Sequence, residues 1–113
     1  MYKMLSKKDI IEINKTFHTG KLANEGSLDF ALAQTYRLKN WLKTAAVLGR
    51  AILIDHVFED GNKRTAAGVI MTIMHMNNLS FSSQKIDAII INITKNNITS
   101  IREIEKEILH ARQ

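Results

Sequence analysis

Within one run of ten residues stand a histidine, two carboxylates, a glycine, an amide and two cations: His56-Val57-Phe58-Glu59-Asp60-Gly61-Asn62-Lys63-Arg64-Thr65. These types suit chemistry on a phosphate. His56 can take a proton near neutral pH. Asp60 supplies the hard oxygen that Mg²⁺ prefers. Gly61 allows backbone angles that turn successive N–H groups toward one point. A helix beginning just after it would make that point an anion site. Asn62 adds donors, and Lys63 and Arg64 add positive charge at the same place. Phe58 is expected to peg the loop into the core. Asp55 and Glu59, beside the functional positions, read as solvated or capping charges rather than catalysts.

Two of the most apolar segments in the chain must hold this loop. Upstream runs Ala45-Ala46-Val47-Leu48-Gly49-Arg50-Ala51-Ile52-Leu53-Ile54, and downstream Ala66-Ala67-Gly68-Val69-Ile70-Met71-Thr72-Ile73-Met74. Both read as helices with little polar face, which neighbours must bury. A short loop between two central helices is a rigid mount for chemistry. Arg50, alone among apolar residues, reads as a salt-bridge partner that holds the loop.

The rest of the chain supplies helices to pack around that pair. Ser6 caps a first helix with Asp9 in the reciprocal position of a capping box, and Leu5 can staple onto Ile10. Ile10, Ile11, Ile13 and Phe17 form its apolar stripe, and Gly20 stops it. Thr19–Gly26 reads as a connector. Ser27 caps a second helix with Leu28, Phe30, Ala31 and Leu32 inward. Asn40 caps the third, which carries Trp41 and Leu42. The fourth runs from about Arg64 to Met76 and ends at Asn77-Asn78, with Met71, Met74 and Met76 as core filler. Ser82 or Ser83 starts a fifth. Its Ile86, Ile89, Ile90 and Ile93 fall at helical spacing, whereas Ile89, Ile91 and Ile93 alternate as in a strand. A lone strand would have no partner, so helix is the expectation. Asn96-Asn97 breaks it. Ser100 with Glu103 boxes the start of a last helix through Ile101, Ile104 and Ile108. The expected fold is a single all-α domain over residues 1–113, a bundle of about six helices.

Composition narrows the function classes. A chain of 113 residues holds one small domain. It contains no Cys, which excludes disulfides and thiolate metal sites. His18, His56, His75 and His110 match no zinc-ligand spacing, and His18 and His110 are expected exposed at helix ends. No signal-peptide core or membrane-length apolar run is present, so the cytoplasm is the default location. Net charge is +5; residues 1–64 carry 11 basic and 7 acidic side chains, and residues 65–113 carry 5 and 4. Without a basic run or many aromatics, the excess favours a nucleotide pocket or an acidic partner over nucleic acid.

The loop resembles the signature of the Fic/Doc family. The general pattern is His-Pro-Phe-x-Asp/Glu-Gly-Asn-Gly-Arg with a further Arg three residues on. His56, Phe58, Asp60, Gly61, Asn62 and Arg64 match it in order and spacing. Val57 replaces Pro, Lys63 replaces the second Gly, and Ala67 stands where the further Arg would be. The last two departures are those of the Doc branch, the death-on-curing type of toxin. The likeness extends over nearly the whole chain in helix order and length, but only the loop matches tightly.

The resemblance implies an ATP-dependent transferase acting on a protein hydroxyl. His56 would be the base, Asp60 the Mg²⁺ ligand, and Gly61, Asn62, Lys63 and Arg64 the nucleotide and phosphate contacts. By likeness to Doc the chain would be the toxin of a toxin–antitoxin pair, a kinase that moves the γ-phosphate of ATP onto a translation factor, elongation factor Tu in the known branch. The alternative within the fold is an adenylyltransferase that moves AMP. Ala67 lacks the Arg that usually holds the distal phosphates in the adenylylating geometry, and Lys63 fills space a Gly would leave open, so kinase is preferred. A non-enzymatic nucleic-acid-binding module is a third reading. The Thr19–Gly26 segment would, by the same likeness, lie over the site mouth. Neither Thr99-Ser100-Ile101-Arg102-Glu103-Ile104 nor Lys21-Leu22-Ala23-Asn24-Glu25-Gly26 completes the self-restraint motif of some Fic proteins, which points to a separate antitoxin.

Overall fold

Residues 4–112, those that a computed structural model describes, fold into six helices: α1 (Lys7–Lys15), α2 (Glu25–Leu38), α3 (Trp41–Ile54), α4 (Asn62–Met76), α5 (Ser83–Lys95) and α6 (Ile101–His110). The described residues form no extended strand; two isolated antiparallel bridges, Leu22 with Phe58 and Phe81 with Arg112, are the only β pairings among them. The architecture is the expected all-α bundle.

The two apolar segments lie at its centre. In α3 an almost unbroken run from Thr44 to Leu53 is buried, with Arg50 only half-buried. That helix packs on α2, α4 and α6, which leaves only its two ends and Arg50 partly open to water. α3 and α4 pack at ordinary contact distance: a Cβ built at Gly49 would meet Ile70 Cδ1 at 3.6 Å. Gly68 is the closer approach, between α4 and α1, where a Cβ would stand 2.8 Å from Ile13 Cγ2 and force it to shift. α5 and α6 close the bundle with Ile86, Ile89, Ile90 and Ile93 packed among Ile104 and Ile108. The doubtful fifth segment is therefore a helix; Ile91, the residue that made it look like a strand, faces solvent at 58% exposure.

Helix starts follow the cap residues. Ser6 and Asp9 form the reciprocal box, and Leu5 and Ile10 are both buried in the core. Asn40, Ser82 and Ser100 accept from the third helical N–H of α3, α5 and α6. At α2 the cap is Asn24, not Ser27: its side chain accepts from the Ser27 N–H, and Gly26 lies inside the helix. Two inward assignments were wrong. α1 ends at Lys15, before Gly20, so Phe17 leaves the stripe and is 58% exposed. Phe30 is 68% exposed, on the side of α2 away from Leu28 and Leu32. No helix among the described residues is long and apolar enough to cross a membrane.

Candidate functional site

Between α3 and α4 the chain has to reverse while keeping both helices in contact. Asp55 ends α3 in the right-handed region, and His56 follows at φ 53°, left-handed. That is the usual way to terminate a helix, and Gly takes the position at least cost. Here a histidine holds it, with its side chain exposed. Val57 and Phe58 then enter the core, fully buried, which makes Phe58 the expected peg. Glu59 and Asp60 return to the surface, and Gly61 at φ 77° starts α4.

Asn62 clasps the loop. Its Oδ1 accepts from the Phe58 N–H at 3.0 Å, and its Nδ2 donates to the Phe58 carbonyl at 2.9 Å. Both polar ends of the side chain are thus occupied, so the amide expected to face a phosphate fixes the loop instead. What Asn62 can offer a ligand is its backbone N–H. It belongs to the first turn of α4, whose start has no side-chain cap. The N–H groups of that turn are a site of partial positive charge.

Two further layers brace the loop. Residues 21–24 run antiparallel beside it: Glu59 N–H donates to the Lys21 carbonyl, and the Ala23 and Asn24 N–H groups to the Val57 carbonyl. Asp55 accepts from Ser27 Oγ at 2.8 Å and lies 3.6 Å from Arg50 Nη1, while Arg50 Nε donates to the Thr99 carbonyl at 2.7 Å. Arg50 is the expected salt-bridge partner beside the loop, and Asp55, expected as a solvated or capping charge, is the residue it faces. From α1, the buried Asn14 donates through Nδ2 to the Asp60 carbonyl and to Thr65 Oγ1, both at 2.9 Å, and accepts the Gly20 N–H at 2.8 Å.

The result is a cleft of about 640 Å³. His56, Asp60, Gly61, Asn62, Lys63 and Arg64 all line it, joined by Glu59 and His18. The remaining wall comes from Leu53 and Ile54 of α3, Thr94 of α5 and Asn97 just beyond it. Its size lies within the range of small-molecule and cofactor sites, about 300–1,000 Å³. Lys63 and Arg64 are exposed, and the Arg64 guanidinium stands 4.9 Å from the centre of the Phe17 ring. The aromatic that left the α1 stripe therefore carries a cation at the cleft edge. Asp60 is 82% exposed at the side chain; Oδ1 accepts the Gly61 N–H at 2.9 Å, and Oδ2 lies 3.5 Å from His18 Nδ1. No group of three or more His, Cys, Asp or Glu that could hold a metal occurs among the described residues. A single carboxylate at a phosphate-sized cleft nevertheless suits Mg²⁺, which takes one or two carboxylates and completes its shell with water and substrate phosphates.

Sequence reasoning missed His18 and Asn14. His18 was expected exposed at a helix end, yet its side chain is three-quarters covered and lines the cleft. Asn14 carried a usable signal, since it falls one turn after Ile10 on the inward face of α1, where a buried amide needs partners. Thr94 and Asn97 carried none.

The chain matches no protein-family model. No curated protein matches it either.

Proposed function

We propose that the chain is an ATP-dependent phosphotransferase that modifies a protein hydroxyl. The observation that carries the reading is convergence: an exposed histidine, a carboxylate, two cations and an uncapped helix N-terminus open on one cleft. Phosphoryl transfer asks for positioning and charge stabilisation more than for covalent participation by the protein. The exposed imidazole of His56 has no hydrogen-bond partner among the described residues and is available as the base. It takes the proton of a Ser or Thr hydroxyl as that oxygen bonds to the γ-phosphorus, and the bond from phosphorus to the bridging oxygen of ADP breaks. The backbone N–H groups of Asn62 and Lys63, the Lys63 ammonium and the Arg64 guanidinium stabilise the phosphate charge. Asp60 would hold Mg²⁺, which when bound neutralises the phosphates.

Likeness of the loop to the Doc branch supports the wider reading: a cytoplasmic toxin whose target is a translation factor such as elongation factor Tu and whose restraint is a separate antitoxin protein. Label transfer tests the chemistry. Incubated with cell extract, the protein should label a target band from γ-labelled ATP and not from α-labelled ATP. Transfer of α-label would mean that AMP moves and that the chain is an adenylyltransferase. Labelling in neither case, together with salt-sensitive nucleic-acid binding that does not depend on His56, would favour the binding module. Lys63→Gly combined with Ala67→Arg probes the preference for phosphate. Ala67 is buried and borders the groove beside Phe17 and Arg64, so a thermal melt of the double variant comes first. The double variant should gain α-label transfer and lose γ-label transfer.

A further inference from the structure

One contact at the cleft joins residues that the loop motif does not connect. His18 lies beyond the end of α1, on a turn set by two bonds to Asn14: its own N–H donates to the Asn14 carbonyl at 2.8 Å, and the Gly20 N–H to Asn14 Oδ1. The imidazole packs where a Gly61 side chain would stand. A Cβ there would be 2.1 Å from His18 Cδ2 and 2.5 Å from Nε2. Gly61 is therefore required twice, for its φ of 77° and for the room it leaves this ring. With the ring so held, Nδ1 lies 3.5 Å from Asp60 Oδ2.

We infer that His18 is a positioning residue for the Asp60 carboxylate, holding it in the orientation that receives a phosphate-bound divalent cation. The inference rests on the phosphotransfer reading above. An aspartate 82% exposed at the side chain would ordinarily sample several rotamers. Here the Gly61 N–H fixes one oxygen, and the His18 ring nitrogen faces the other. A contact of 3.5 Å is long for a hydrogen bond and needs only a few tenths of an ångström to become one, a closure common when a site fills. Because Asn14 also takes the Asp60 carbonyl, the end of α1 grips this residue at both backbone and side chain. Groups that orient a ligating carboxylate typically matter by about 10–100-fold in metal affinity.

Mn²⁺ can replace Mg²⁺ at oxygen sites and is visible by electron paramagnetic resonance. Its affinity would be titrated in the presence of ATP for the wild type, His18→Phe and His18→Asn, each also with Asp60→Ala, after thermal melts confirm folding. His18→Phe keeps a ring against Gly61 but has no donor, and should weaken Mn²⁺ binding about 10–100-fold. His18→Asn places an amide N–H near the Nδ1 position and should restore most of it. With Asp60→Ala present, His18→Phe should cause no further loss. Wild-type affinity in His18→Phe would overturn the inference, as would an Asn variant as weak as the Phe variant or a loss that persists without Asp60. The two readings fail separately. If Asp60→Ala abolishes Mn²⁺ binding while His18 variants do nothing, only the present inference falls. If wild type with ATP holds no Mn²⁺, or holds it regardless of Asp60, the metal-assisted phosphotransfer reading falls with it.

Discussion

The starts of α3 and α4 are built from opposite materials. α3 begins at Asn40, extended in backbone, whose side chain accepts the Lys43 N–H at 3.1 Å. α4 begins at Gly61, left-handed in backbone, with no side chain to accept anything. α1, α2, α5 and α6 follow the α3 pattern, with Ser or Asn at the cap. A capped start satisfies its own amides and contributes about 1 kcal/mol. An uncapped one keeps its partial positive charge for something else. At α4 that difference coincides with the cleft, the exposed His56 and the two cations, and the proposed phosphate site rests on that coincidence.

The largest effect should come from chemistry at the uncapped end. His56→Ala should lower transfer by about 10²–10⁴-fold, the usual contribution of a general base. Stability should fall by less than about 1 kcal/mol, because alanine keeps the Cβ that histidine already carries in the left-handed region. Steady-state transfer rates set beside thermal melts check both halves. Full activity in a folded variant would remove the base from the cleft side of the comparison.

Next in size is a pair of glycine substitutions with opposite signs. Gly61→Ala forces a side chain into the left-handed region and onto the His18 ring, and should destabilise by about 1–3 kcal/mol. Gly26→Ala, in the first turn of α2 with nothing within 4 Å of the new methyl, should stabilise by about 0.4–1 kcal/mol. Denaturant midpoints measure both. Equal effects at the two positions would mean that the loop yields around a Cβ, and that Gly61 is not the constraint the geometry makes it.

Cap deletions sharpen the contrast from the other side. Asn40→Ala and Ser100→Ala should each lose about 1 kcal/mol of stability and leave transfer unchanged. Activity loss beyond the unfolded fraction would show that the capped ends also serve the site.

Local rules made most of this legible. Ser and Asn caps, the apolar blocks of α3 and α4 and the Asn pairs after α4 and α5 are decided within a few residues, so the six helices could be read in number and order, although the end of α1 and the cap of α2 were misplaced. The loop was legible for the same reason, since His56 to Arg64 are neighbours in sequence. What failed depended on distant partners. Phe17 follows a helical period that holds only if α1 continues, and α1 stops at Lys15. Phe30 is apolar, but no element covers its side of α2. Asn62 has the composition of a phosphate donor, and only the fold of the loop shows its amide turned onto Phe58. His18 meets Gly61 and Asp60 across most of the distance between α1 and α4 in sequence, which no periodicity reports.

The smallest expected effect lies in the most complete of the capped ends, and it has a pH signature. At α1 the Ser6 backbone N–H donates to Asp9 Oδ2 at 2.9 Å while the Asp9 N–H donates to Ser6 Oγ at 3.1 Å. The Ser6 N–H holds the Asp9 carboxyl below its usual range, with the Ser6 hydroxyl adding to the effect. A carboxyl whose folded pKa is depressed gives its full stabilisation above the unfolded value, near 3.9. That stabilisation is lost as pH falls through the lower folded value. Asp9→Asn should therefore destabilise at pH 7 by about 0.5 kcal/mol, the scale of a charge in the first turn of an exposed helix. The gap to wild type should close as pH falls below about 4. Paired chemical denaturation of wild type and Asp9→Asn across that pH range measures it. A gap that stays constant into acid would assign the effect to helix propensity and not to the carboxylate. The Asp60 carboxylate, which accepts the Gly61 N–H but stands before an uncapped helix, closes no such reciprocal box, so its removal should register in ligand binding before it registers in stability.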